Sequence, residues 1–523
     1  MTRTRKKKLP IGIQTFADII EGGYYYVDKT PHIHRLVEEG KYYFLSRPRR
    51  FGKSLLVDTL RCLFEGREAL FEGLFIQDKW DWQARHPVIR ISFADGVIDS
   101  REALDQHITE LLQAEATRHS VAFDNISIAG RFRELIHKVH RLHGQRVVIL
   151  VDEYDKPILD NLLAPERARE LREGLKNLYS VLKDADPHLA FVLLTGVSKF
   201  SKVSLFSGLN NLRDITLSEA YSSICGYTDE DIDSVFAPEL QALDRNQIRT
   251  WYNGYRWGGQ DVASVYNPFD VLLLFQERKF SPYWFESATP TFLVDVLKQR
   301  GVFTPALTAW HSRPALLSRF DVDDIATEAL LFQTGYLTIK AIREEIPNRP
   351  IYALGFPNQE VEASLNEALL PVLGINNDSL DELMVRLPRL LKTADLPGLE
   401  SHLKALFAGL PHDWYRNNPI AKYEGHYASV FYSHFAALGL RVTVEDASHH
   451  GKVDMTVDFA GHLYLFEFKV VEQLPEDRAL QQIKDKGYAD KYLGQGKVIH
   501  LIGVEFSSDK RQIVGFEVET DAG

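Results

Sequence analysis

The chain has 523 residues, more than one hydrophobic core supports, so several domains are expected. Apolar residues make up 45% and charged residues 25% of the sequence, which is typical of globular proteins and excludes a disordered chain. The net charge of −11 argues against a protein that coats nucleic acid through an overall positive charge. No apolar run approaches the roughly 18 residues of a membrane span. Cys62 and Cys225 form no disulfide or zinc pattern, so we expect a soluble, cytoplasmic protein.

The first nine residues form a basic tail that includes Arg3, Arg5 and Lys6. A run of like charges at a terminus predicts a solvated segment, and a phosphate-binding arm is the alternative.

Residues 46–54 join an apolar run to a helical pattern and read Ser-Arg-Pro-Arg-Arg-Phe-Gly-Lys-Ser. A strand that turns through Gly-Lys-Ser into a helix directs backbone N–H groups and the helix dipole at one point, where phosphate binds. Lys53 would reach the β- and γ-phosphates, and Ser54 would bind Mg²⁺. Arg47 stands where the usual pattern has its first glycine. The predicted nucleotide-binding residues of this loop are Arg49, Arg50, Phe51, Gly52, Lys53 and Ser54.

Two later apolar runs also end in polar residues. Residues 147–151 predict a buried strand of a parallel sheet, followed by Asp152 and Glu153. At the carboxyl edge of such a sheet, Asp152 can hold the Mg²⁺ of a nucleotide and Glu153 can polarise the attacking water. The alternative is that both acids cap the next helix. A third run, 189–194, leads into Thr195, where P-loop ATPases place a polar sensor of the γ-phosphate.

The middle of the chain has mostly helical patterns. Its aromatic run 251–257 contains Asn and Gly, which favours a packed turn over a base-stacking platform. The β-rich runs 335–339 and 350–354 flank a polar stretch, 343–349. They predict either the wing of a winged-helix module or a small structural hairpin.

Near the C-terminus, the runs 452–459 and 463–470 alternate polar and apolar residues. If Ala460-Gly461 is a two-residue hairpin turn, Asp454 lies opposite Glu467. Two carboxylates about 5 Å apart repel each other unless a cation lies between them, and oxygen ligands suit Mg²⁺.

Lys469 lies on the same face in this register and can stabilise a charged phosphate or orient water. On the opposite face, Val453 would pair with Phe468 in the core. The alternative is that the polar face is a solvated sheet surface.

Two predicted helices flank this hairpin. The helix at 418–438 carries Glu424 on an apolar stripe, where a buried acid needs a partner. The helix at 477–493 carries Gln482 and Lys486 one turn apart, and a further strand follows. The predicted order is helix, three strands, helix, strand.

That order, with Glu424, Gly451-Lys452-Val453-Asp454 and Glu467-Phe468-Lys469, resembles the PD-(D/E)xK nuclease superfamily. Val453 occupies the place of the apolar or prolyl residue before the first acid. The resemblance implies a restriction-endonuclease-like fold and Mg²⁺-dependent cleavage of nucleic acid, mainly DNA. It implies the metal ligands Glu424, Asp454 and Glu467, and the catalytic residues Asp454, Glu467 and Lys469.

The whole chain is similar to bacterial AAA-ATPase-like proteins that end in such a nuclease domain. The similarity is carried by Tyr26-Val27-Asp28-Lys29-Thr30 and by the runs 47–54, 205–212 and 251–257. In that family the arginine-rich run replaces the glycine-rich loop, so Arg47 fits. The resemblance implies ATP and Mg²⁺ as cofactors, with Glu153 as a catalytic residue.

The sequence therefore predicts an α/β multidomain protein. It combines a P-loop ATPase with a mainly parallel sheet, a helical, winged-helix-like middle region and a C-terminal α/β restriction-endonuclease-like domain. ATP hydrolysis would be coupled to nucleic-acid cleavage, with DNA favoured over RNA; a homo-oligomer stays open. The alternative is an ATP-driven switch or scaffold that binds nucleic acid or a protein partner without cleaving. The predicted segments are the tail 1–9, the ATPase domain 10–220, a lid-like region 221–300, a linker domain 301–410 and the nuclease domain 411–523.

Overall fold

The computed structural model describes residues 6–199, 211–259, 261–288, 291–300, 304–317, 325–375, 377–408, 424–448, 451–472, 474–476, 478–507, 509 and 512–521. The chain forms two compact units. The first comprises Met1–Phe292 and Trp310–Asn358, and the second Leu293–Ala309 and Gln359–Gly523. The finer division made from the sequence stays a prediction. Among the described residues, no helix is long and apolar enough to cross a membrane.

Helices and strands alternate through much of the first unit. In chain order, the described helices are α1 Phe16–Glu21, α2 Thr30–Glu39, α3 Lys53–Phe64, α4 Arg101–Arg118, α5 Ile128–His143, α6 Lys156–Leu159, α7 Pro165–Tyr179, α8 Val181–Asp184, α9 Asp229–Val235, α10 Arg245–Tyr252, α11 Pro268–Glu277, α12 Tyr283–Ala288, α13 Thr291–Arg300, α14 Pro314–Leu317, α15 Thr327–Thr334, α16 Gln359–Leu369, α17 Asn377–Thr393, α18 Leu396–Ala408, α19 Glu424–Ala436 and α20 Arg478–Asp485. The strands are β1 Tyr42–Ser46, β2 Val88–Ser92, β3 Val147–Asp152, β4 Leu189–Gly196, β5 Arg213–Asp214, β6 Trp310–Ser312, β7 Thr338–Arg343, β8 Ile351–Gly355, β9 Arg441–Ser448, β10 Gly451–Phe459, β11 His462–Val471, β12 Val498–Ser507 and β13 Gln512–Asp521.

The main sheet of the first unit has the strand order β2-β3-β4-β1-β5, and its paired strands are parallel. Strands β1 and β3 are buried along their whole length, as their continuous apolar runs predict. Because β4 lies between β1 and β3 and pairs with both in parallel, the carboxyl ends of the three strands lie at one edge of the sheet. The loops that follow them therefore lie side by side, which confirms the predicted parallel α/β architecture.

A smaller antiparallel sheet, in the order β6-β8-β7, belongs to the same unit. Strands β7 and β8 form the hairpin that the two β-rich runs predicted. Its interpretation as the wing of a winged helix stays a prediction. In the aromatic run 251–257, Tyr255 and Trp257 are buried and stack with ring centroids 6.0 Å apart, as a packed turn requires.

The sheet of the second unit has the order β13-β12-β11-β10-β9, with β11 and β12 parallel and the other pairs antiparallel. On one face, the ring centroid of Phe431 lies 5.0 Å from that of Phe466 and 4.7 Å from that of Phe468. On the other face, Leu463 and Leu465 belong to a cluster with Ile483 of α20. The sheet is thus covered on both faces. The edge strand β13 was not predicted from the sequence.

Among the sequence predictions, the basic tail and the run 205–212 fall partly outside the described residues. Of the basic tail, residues 1–5 lie outside them, and the Lys6 ammonium lies 2.6 Å from the Glu239 carboxylate. Lys6 is half-exposed and forms this ion pair, and the solvated tail as a whole stays a prediction. Of the run 205–212, residues 205–210 lie outside the described part of the chain.

Candidate active sites

The Gly-Lys-Ser loop passes from β1 into α3 through a left-handed residue. Gly52 has φ of 89°, a backbone conformation that disfavours other residues, and α3 begins at Lys53. The Lys53 ammonium is buried and donates to the carbonyl oxygens of Arg47 and Pro48, each at 2.9 Å. The lysine head group therefore lies inside the concave side of the loop, beside the N–H groups that the first turn of α3 leaves without helical partners.

Arg47 faces away from this concave side. Its buried guanidinium donates to the carbonyl oxygens of Ser46 at 2.8 Å, Thr216 at 2.9 Å and Tyr221 at 3.1 Å. It also lies over the Trp257 ring, 4.3 Å from the centroid. Burial lowers the pKa of Arg47 to about 10. The residue that replaces the first glycine thus joins β1 to later parts of the unit and does not add to the charge that faces a phosphate.

The other residues of the loop reach a cavity. Arg49 lies 3.6 Å from an Asp160 carboxylate oxygen, and the exposed Arg50 lies 4.7 Å from the Phe269 ring centroid. Phe51 is buried, with its ring edge-on to Tyr255 at 4.7 Å. Both arginines border the cavity, and Phe51 anchors the loop in the core.

This cavity has a volume of about 550 Å³, within the usual range of roughly 300–1,000 Å³ for small-ligand pockets. Lys53, Ser54 and Glu153 line its polar side. Residues of the segments 10–14 and 25–29 and of the first turn of α11 also line the cavity. Sequence reasoning did not assign these wall segments, although 26–30 stood out through the family resemblance.

Asp152, Glu153 and Thr195 meet at the same edge of the sheet. The Thr195 hydroxyl donates a 2.6 Å hydrogen bond to the buried Asp152 carboxylate. Glu153 has φ of 52° and lines the cavity, and burial raises the pKa of its carboxyl against the opposing charge of Lys53. The N-cap of α6 is Asp155, so Asp152 and Glu153 do not occupy the capping position. The structure brings these three predicted residues to the end of the P-loop.

In the second unit, the β10–β11 hairpin has the predicted register. Ala460 and Gly461 have φ of 52° and 87°, as a two-residue turn of this type requires. The pairs run from Phe459 opposite His462 to Met455 opposite Phe466.

The regular ladder with β11 begins at Met455, and the strand is irregular at Asp454. The Asp454 carboxylate accepts a 2.7 Å hydrogen bond from the Phe468 N–H and so lies against β11. Val453 belongs to the cluster on the α20 face, whereas Met455 belongs to the opposite face. The prediction that Val453 packs opposite Phe468 is therefore wrong, because the alternation of faces slips by one residue at Asp454. On the neighbouring strand, Glu445 has a left-handed φ of 49°.

Glu467 is the most enclosed acid of this site, with 1% of its surface exposed. One carboxylate oxygen accepts hydrogen bonds from Lys469, at 3.4 Å, and from Gln482. The other oxygen has no hydrogen-bond partner among the described residues. Burial and the nearby Asp454 charge raise the pKa of Glu467 to about 7. A buried carboxylate oxygen left over beside a second acid fits a hard cation such as Mg²⁺.

The remaining predicted residues differ in how they relate to this site. Gln482 of α20 donates a hydrogen bond to Glu467, a contact that its place on an amphipathic helix did not by itself indicate. Lys486 follows the end of α20. Glu424 begins α19, and its side chain lies outside the described residues, so its role as a metal ligand stays a prediction.

Both candidate sites lie within segments that match known protein families. Residues 10–206 match the family described as predicted AAA-ATPase, and residues 422–516 match the PD-(D/E)XK nuclease superfamily. The chain is also 61% identical over 516 residues to a protein of Azotobacter chroococcum mcd 1, covering 98% of this chain and 99% of that protein. That relative is described as an uncharacterized protein in the vnfD 5′ region, which assigns it no activity.

Proposed function

The chain belongs to the family of predicted AAA-ATPases that end in a PD-(D/E)XK nuclease superfamily domain, and from this we propose that it couples ATP hydrolysis to Mg²⁺-dependent cleavage of DNA. The observation that carries the nuclease part is the buried Glu467 carboxylate with one oxygen left over beside Asp454. Such an oxygen is unfavourable in a purely structural core and favourable as a cation ligand.

At the P-loop, the described residues suit a nucleoside triphosphate. Lys53 would exchange its two carbonyl partners for phosphate oxygens, and Ser54 with Asp152 would hold Mg²⁺. A bound Mg²⁺ supplies positive charge to the phosphates. Glu153 would orient and deprotonate the attacking water, and its raised pKa, caused by burial, favours that role. Thr195 holds the Asp152 carboxylate through the 2.6 Å hydrogen bond.

At the nuclease site, Asp454 and Glu467 would hold Mg²⁺, with Glu424 as a further ligand. The metal would act as a Lewis acid on the phosphodiester. Lys469 places an ammonium 3.4 Å from Glu467 and can stabilise negative charge on the phosphate. Gln482 orients the Glu467 carboxylate. DNA is favoured as substrate because the nuclease family that the site resembles acts mainly on DNA.

A cleavage assay on single- and double-stranded DNA and RNA, with and without ATP and Mg²⁺, tests this proposal. We expect Mg²⁺-dependent cleavage of DNA, and Asp454→Asn should abolish it. ATP should change the cleavage rate of the parent but not that of Lys53→Ala. The matched control is Asp458→Asn, because Asp458 lies on the same strand and pairs with Lys497 at 2.6 Å, away from Glu467. DNA binding without cleavage under all conditions would refute the nuclease and favour the switch or scaffold.

A further inference from the structure

We infer that Asp155 is a positioning residue that fixes the end of β4 so that the Thr195 hydroxyl stays on the Asp152 carboxylate. The inference rests on the proposed ATPase function and adds a residue to it. Asp155 follows Asp152 by three positions in the turn after β3 and is 1% exposed.

The Asp155 carboxylate is the acceptor for the chain just beyond Thr195. It accepts hydrogen bonds from the Val197 N–H at 3.1 Å, the Ser198 N–H at 2.6 Å and the Ser198 hydroxyl at 2.5 Å. The neighbouring Tyr154 hydroxyl donates to the Ser198 carbonyl at 2.9 Å. The turn after β3 therefore holds the end of β4 through the accepting Asp155 carboxylate and the donating Tyr154 hydroxyl.

Gly196 allows these two segments to approach closely. A Cβ atom at this position would overlap the Asp155 carboxylate and the Tyr154 ring, so no larger residue fits without a shift of the turn. The Gly196 carbonyl accepts from the Arg47 N–H at 3.1 Å, and the Val197 carbonyl accepts from the Ser46 hydroxyl at 2.5 Å. Residues 195–198 are thus clamped between the start of the P-loop and the turn that carries Asp155.

Asp155 itself does not border the 550 Å³ cavity, whereas Glu153 and Lys156 on either side do. It acts on the nucleotide site through Thr195, which bonds the proposed Mg²⁺ ligand Asp152. Outer residues that orient a metal ligand change metal affinity or activity when they are removed. We therefore expect replacement of Asp155 to change Mg²⁺ affinity or activity. In Asp155→Asn the amide would place an N–H group against the Val197 and Ser198 donors, which need an acceptor.

The test compares Asp155→Asn, Ser198→Ala and the parent full-length chain for ATP turnover against Mg²⁺ concentration, and for ATP affinity in EDTA. We expect Asp155→Asn to lower kcat, and to raise the half-saturating Mg²⁺ concentration, by about 10- to 100-fold. Metal-free ATP affinity should stay close to that of the parent. Ser198→Ala removes one donor and leaves the acid, so it should lower kcat and raise the half-saturating Mg²⁺ concentration by smaller factors. The effects of the two substitutions should be non-additive in the double variant.

Asp124→Asn is the matched control, because this side chain is 85% exposed and pairs with Lys138 far from the cavity. Melting temperatures report folding, and Ser198→Ala decides the question if Asp155→Asn does not fold. An unchanged Mg²⁺ dependence in the folded variants, with an active parent, overturns the inference alone. A parent that binds no nucleotide refutes the proposed ATPase and the inference together.

Discussion

The raised pKa of Glu467 makes a quantitative prediction for Glu467→Gln in the metal-free protein. The folded state keeps a proton that the unfolded chain releases near the ordinary pKa of 4.5, since the pKa in the fold is about 7. The stability contributed by this proton is complete below pH 4.5 and is lost as the pH rises through about 7. The difference between the two pKa values corresponds to about 3 kcal/mol of folding stability. We expect about 2 kcal/mol, because solvent screens part of the interaction.

Glu467→Gln keeps the shape of the side chain and an oxygen for Gln482, and it removes the charge. At pH 8 without metal, its free energy of unfolding should exceed that of the parent by about 2 kcal/mol, with little difference at pH 4.5. Mg²⁺ should stabilise the parent at pH 8 and not the variant, and cleavage should be lost. Urea unfolding at both pH values, with and without Mg²⁺, measures this.

Glu519→Gln is a suitable control, because Glu519 is half-exposed and pairs with Lys484 on the surface. If stability depends on pH in Glu467→Gln as it does in the parent, then the buried Glu467 carboxylate does not destabilise the metal-free protein, and the reasoning is refuted. Retained cleavage in the variant would refute the assignment of the metal site.

Three further predictions concern the P-loop and the buried histidines. Lys53→Ala should abolish ATP binding in calorimetry, because it removes the cation inside the loop; undiminished affinity would contradict the P-loop assignment. Glu153→Gln should bind ATP normally while steady-state turnover falls, because only the group that polarises water is lost. Burial lowers the pKa of His402 to about 4 and of His434 to about 3, so the unfolded chain takes up protons near pH 6.5 that the folded state excludes. The contribution of the two neutral histidines to the free energy of unfolding should therefore be fully present above pH 6.5 and fall as the pH drops toward 4. Urea titrations of His434→Phe should show a weaker dependence on pH over this range.

Local patterns in the sequence were enough to predict strands β1, β3 and β4, the P-loop helix α3 and the β10–β11 register. Continuous apolar runs identify buried parallel strands, and the carboxyl ends of such strands share one edge of the sheet, which places Asp152 and Thr195 at the same edge as the loop that carries Lys53. The hairpin register depends only on the Ala460-Gly461 turn and the alternation beside it. Each of these features is decided by residues close together in the chain, so the sequence alone determines them.

The tertiary structure decided the features that depend on residues far apart in the chain. Arg47 is buried where its guanidinium can donate hydrogen bonds to the carbonyl groups of Thr216 and Tyr221. The face of Val453 changes because the Asp454 carboxylate bonds to the Phe468 N–H. The cavity is lined by the P-loop together with segments 10–14 and 25–29 and α11, and Gln482 contacts Glu467; both arrangements join distant segments. Hydrogen bonds and packing between such segments follow from the folded arrangement, because no local periodicity or motif encodes which distant groups will meet.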